Sequence, residues 1–134
     1  MRTWSAKSFG NEQSLDWLAD LVEESDPYFI HNTFEIVLEC SDVEEPEAWD
    51  CNSALAAAEI VAAARGNPPD EFPLGAQKWL IQNPLHLDDE LLSLAVKAVR
   101  KIETHSELKR LWDANEHRLE WHESIADLKN RLER

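Results

Sequence analysis

Apolar residues recur at three- and four-residue intervals along most of the chain, a period that predicts a protein built almost wholly of helices. Leu15, Leu18 and Val22 form a stripe over 11–24, with Trp17 and Leu21 beside it. Ile30, Phe34 and Val37 mark a second helix from Pro27 to about Glu39, opened by Asp26-Pro27, a cap followed by proline at the first helical position. Phe34, Ile36, Leu38 and Cys40 also alternate, so a strand is the minor alternative there. Pro46 is suited to open a third helix ending at Arg65, with Gly66 in the left-handed turn beyond it. From Ala54 to Ala64 this helix is apolar nearly all round, so it sits centrally with neighbours on several sides.

Gly66-Asn67-Pro68-Pro69-Asp70-Glu71-Phe72-Pro73 reads as the connector, about 66–74. A short helix around Gly75 to Gln82 turns Trp79 and Leu80 inward. Asp88-Asp89-Glu90 places negative charge at the start of a helix running to about Glu103, where the helix dipole favours it. Its buried side is Leu91, Leu94, Ala95, Ala98 and Ile102. Thr104-His105-Ser106-Glu107 fits a capping box that opens the next helix, with Leu108, Leu111 and Trp112 as its apolar face. The last helix, about Glu116 to Leu132, aligns Trp121, Ile125, Leu128 and Leu132. The expectation is an all-α single domain over 1–134: six or seven helices in a bundle around the alanine-rich one.

Charge changes this picture more than composition does. Of 27 Asp and Glu, 14 lie between Ser8 and Ala64, a stretch without one Lys or Arg, whereas the remaining acids and bases balance. The net charge of −14 therefore belongs to the first half. Its densest part is Glu39-Cys40-Ser41-Asp42-Val43-Glu44-Glu45-Pro46-Glu47-Ala48-Trp49-Asp50. Phosphate contacts supply most of a nucleic-acid binder's affinity, so this surface excludes direct nucleic-acid binding and docking on anionic lipid. It is either a solubilising skin or a surface that meets a basic protein. Trp49, ringed by acids, suits a binding anchor, although a tryptophan folding the loop onto the domain is an equal reading.

The longest apolar run is about half of the roughly 20 residues a membrane span needs, and the first residues carry no signal-like apolar stretch. The expectation is a cytoplasmic protein. Cys40 and Cys51 then read as free thiols. His117 and His122, five apart, face away from each other on a helix, so no metal site is expected there. No phosphate loop, nucleophile elbow or cofactor motif appears, and no cofactor is expected. Glu59 alone breaks the local pattern. A carboxylate within an apolar helix must find a donor or stay protonated, as a structural group or as a general acid or ligand contact.

Thr3-Trp4, Phe9, Asn11, Leu15-Asp16-Trp17-Leu18, the run Ala54 to Ala63 with Glu59, and Arg65-Gly66 together resemble a bacterial family, the domain of unknown function numbered 4259. The similarity takes in Leu108 to Trp112 and the closing helix. Arg2 and Ser5 stand where that family has glycines. The resemblance implies a small helical domain in which Trp4, Phe9, Asp16, Trp17 and Glu59 form one structural or ligand cluster, the N-terminal segment packing across the Glu59 helix. It carries over no activity.

The functional expectation is a non-enzymatic interaction protein, of immunity or antitoxin type, meeting a basic protein through Asp42, Glu44, Glu45, Glu47, Trp49 and Asp50. The alternative is a small-ligand-binding domain or small enzyme centred on Glu59.

Overall fold

The computed structural model describes residues 6–24, 26, 28–41, 43–85 and 87–134. Trp4, Pro27 and Asp42 lie outside these residues. Among the described residues there are seven helices and no strand: α1 (Glu12–Glu23), α2 (Phe29–Leu38), α3 (Ala48–Ala64), α4 (Leu74–Gln82), α5 (Asp89–Thr104), α6 (Glu107–Asp113) and α7 (Arg118–Glu133).

α3 is the axis of the bundle. It packs against all six other helices, and every residue from Cys51 to Ala62 is buried. Alanine explains both facts, since small side chains on every face let six neighbours approach one rod. Leu55, Ile60 and Val61 supply the bulk, each contributing about 1.5–3 kcal/mol by burial. The helix ends in a Schellman turn: the Gly66 N–H donates to Ala63 O and the Asn67 N–H to Ala62 O, both at 2.9 Å. Gly66 has φ +89°, and space beside it is open, so backbone conformation rather than crowding selects glycine there.

The start of α3 departs from expectation. Pro46 precedes the helix instead of opening it, and Glu47 occupies the cap position without a side-chain bond. The cap comes from elsewhere: the Ala48 N–H donates to Glu107 Oε1 at 2.8 Å, while the Glu107 N–H donates to Pro46 O at 3.0 Å. The expected capping box therefore does not form. Thr104 closes α5, Ser106 caps α6 by accepting from the Lys109 N–H at 3.0 Å, and Glu107 is spent on a different helix.

Two stripes also shift. α1 buries Ser14, Trp17, Leu18 and Leu21, leaving Leu15 and Val22 exposed. The Ser14 hydroxyl donates to Asn52 O across the α1–α3 contact, which turns the helix about its axis. On α6, Leu111 is exposed. The stripes of α2, α5 and α7 are as expected, except that Leu94 is only half-buried. No described helix is long and apolar enough to cross a membrane.

Candidate functional site

α1, α2 and the first turn of α3 enclose a groove of about 220 Å³. Trp17, Phe29 and Ile36 give it apolar walls, and Asp16, Asp20, Trp49 and Asp50 complete the lining. Asp16 and Asp20 are four apart on α1 and so share one helix face. The walls are held in place. Trp17 stacks on Phe29 with ring centroids 5.8 Å apart, and its indole N–H donates to Thr33 Oγ1 at 2.9 Å. By contrast Trp49 is 53% and Ile36 50% exposed. Large apolar side chains left that open beside charge suit a contact surface.

No Lys or Arg lines the groove among the described residues, and no cation among them lies within ion-pairing reach of Asp16, Asp20 or Asp50. Burial holds the Asp50 carboxyl above the ordinary aspartate range. Asp50 is thus a half-buried acid with no cation beside it among the described residues.

The predicted acidic loop is divided by its surroundings. Glu44 and Glu47 are exposed, whereas Glu45 is hydrogen-bonded and ion-paired to Arg110, which holds its carboxyl below the usual range. Lys101 Nζ donates to Cys40 O, so a second base from the C-terminal half also meets this loop. Trp49 and Asp50 line the groove with Asp16 and Trp17. Asp20 and Ile36 were not anticipated. The i, i+4 spacing of Asp16 and Asp20 was the available signal.

Glu59 lies elsewhere, on the floor of a cleft of about 440 Å³ between α3, α7 and the segment of Ala6 to Phe9. It is 2% exposed, and both oxygens are taken: Arg131 Nη1 donates to Oε1 at 2.6 Å and Nη2 to Oε2 at 3.2 Å. Arg131 Nε donates to Asp127 Oδ2 at 2.8 Å. Burial lowers the Arg131 pKa, but its hydrogen bonds with Glu59 and Asp127 outweigh that and raise it overall. A carboxylate gripped by a guanidinium fork is an ion-pair partner rather than a free general acid. Arg131 was also unanticipated, although it flanks the Leu128–Leu132 stripe and so was the cation placed to answer a buried acid.

Of the four residues grouped with Glu59, Phe9 shares its cleft and packs edge-on against Phe72 at 6.2 Å. Asp16 and Trp17 line the other groove, and Trp4 lies outside the described residues. Cys40 and Cys51 are free, and burial pushes the Cys51 thiol up to about 12. His117 is exposed beside Glu116 and Glu120. No group of three or more His, Cys, Asp or Glu among the described residues is placed to hold a metal ion.

The sequence model of the domain of unknown function DUF4259 matches residues 3–124, most of the chain, and the chain belongs to that family. The match covers the whole Trp49 groove and ends before Asp127 and Arg131. Neither a curated protein nor a solved structure matches the chain.

Proposed function

We propose that this DUF4259 domain is a protein-binding module whose Trp49 groove receives a basic segment of a partner. One observation carries the reading: three carboxylates with no cation beside them among the described residues, Asp16, Asp20 and Asp50, surround exposed Trp49 and Ile36 in a groove walled by the stacked Trp17–Phe29 pair. A lysine or arginine entering there replaces the missing counter-charge while its methylene stem covers the aromatic faces. Such a surface speeds association with a cationic partner, and the advantage falls as salt rises. The exposed Glu44 and Glu47 extend the negative field. Glu45 contributes less, because Arg110 already answers it.

The finer form of the reading is an immunity- or antitoxin-type inhibitor, which masks the basic working surface of a toxic partner. The rival, a small-ligand site or small enzyme centred on Glu59, has the cleft in its favour and the closed Glu59–Arg131 fork against it.

The test is affinity capture from the organism that encodes the chain, using wild type and an Asp16→Asn/Asp20→Asn/Asp50→Asn/Trp49→Ala variant as baits. Wild type should retain a basic protein that the variant loses, and its gene, if toxic alone, should become tolerated when the two are co-expressed. Equal recovery by both baits at low and high salt would sink the groove as the binding surface.

A further inference from the structure

Phe29 is a wall of two depressions. Beyond it from the Trp49 groove lies a second one of about 490 Å³, where the C-terminal ends of α1 and α4 meet the N-terminal ends of α2 and α5. Leu21, Ile30, Trp79 and Leu85 are among its apolar lining, and Glu24, Asp26 and Asp88 are its acids. Among the described lining residues His31 is the one able to take a positive charge.

We infer that the two grooves form one docking track, and that its occupant is a basic amphipathic segment of a partner protein with an apolar side chain set in each. This rests on the binding reading above. The case is charge complementarity and continuity: both grooves pair an aromatic wall with carboxylates, neither holds a Lys or Arg among the described residues, and Phe29, stacked on Trp17, lines both. Phe29 lines both grooves, so anchors in the two are neighbours, and residues i and i+7 on one face of a helix supply such a pair, roughly 10 Å apart at ~1.5 Å of rise per residue. Helices that lay an apolar face in a groove use that spacing, and flanking lysines would meet Asp16, Asp20 and Asp50 at one end and Asp26 and Asp88 at the other.

The test uses a synthetic Lys/Leu amphipathic peptide with leucines at i and i+7, and a permuted peptide whose leucines fall on opposite faces. Binding is followed by the indole N–H signals of Trp49 and Trp79 in ¹H–¹⁵N spectra of the full chain. Both signals should move with one dissociation constant, and the permuted peptide should bind at least about tenfold more weakly. Trp79→Ala should weaken binding about tenfold, as truncation of a central aromatic anchor does. Because Trp79 is half-buried, Asp26→Asn serves as the second variant. It keeps the Oδ1 that accepts from the Tyr28 N–H at 2.9 Å and removes only charge, so it should weaken binding at low salt and not at high salt. Movement of Trp49 alone, with both variants binding like wild type, overturns the track and leaves the single-groove reading standing. Movement of Trp79 alone, or of neither, overturns both, and equal binding of the permuted peptide overturns the track.

Discussion

Glu59 and Asp50 show how differently two desolvated carboxylates can be handled. Glu59 has a fork of its own, and removing half of a buried ion pair strands the other charge. Glu59→Gln should therefore lose about 3–5 kcal/mol in urea melts, whereas Glu59→Leu with Arg131→Met should lose far less. A Glu59→Gln protein as stable as wild type would mean a neutral hydrogen bond suffices. Asp50 lies in the first turn of α3, where the dipole favours charge, yet burial prevails and its folded-state pKa is raised. The sign follows: the fold prefers the neutral acid, so this group's contribution is full below the ordinary aspartate value and is lost as pH rises through the raised one. Asp50→Asn should thus melt higher than wild type at neutral pH, by a margin that vanishes in acid, and bind its partner more weakly. That is the pattern of a residue kept for contact at some cost in stability. The oddity of Glu59 was legible in the sequence because a carboxylate interrupts an apolar run. Asp50 gave no such signal, since its burial comes from α1 and α2.

The helices themselves followed from spacing, and at α1 and the start of α3, where the expectation slipped, a long-range hydrogen bond accompanies the shift; α2 also starts at Phe29 rather than at Pro27, with Tyr28 at its cap position. α1 rotates because Ser14 reaches Asn52 O, a partner 38 residues away. The loop before α3 is strapped to α6 by reciprocal bonds between Glu107, Ala48 and Pro46, 59 residues apart at the cap. No local window contains those pairs. Glu107 does for α3 what an N-cap side chain usually does, so Glu107→Ala should cost about 1 kcal/mol by the usual value of a cap. The loss should concentrate in the first turn of α3, read as faster amide exchange from Ala48 to Cys51. A loss confined to α6 would show that the bond matters only to its own helix. The same strap sets the direction of Trp49, one residue into α3, and so links helix capping to the groove.

Across the whole molecule, bases of the C-terminal half answer some acids of the first half and not others. Arg110 meets Glu45 and Arg131 meets Glu59, while the faces of α1 and α2 around Asp16 and Asp20 are left open. The sequence showed that positive charge was absent from 8–64; it could not show which acids would gather. Among the described residues, six of the ten exposed large hydrophobics also lie in that stretch, and two of them, Ile36 and Trp49, line the groove with Asp16, Asp20 and Asp50. The direct measurement is calorimetric titration of the captured basic partner into wild type and into Asp16→Asn/Asp20→Asn/Asp50→Asn, each at low and high salt. Wild type should bind tightly at low salt and lose affinity steeply as salt rises, with the variant weak and almost salt-independent. Equal affinities and equal salt slopes for the two proteins would contradict the account.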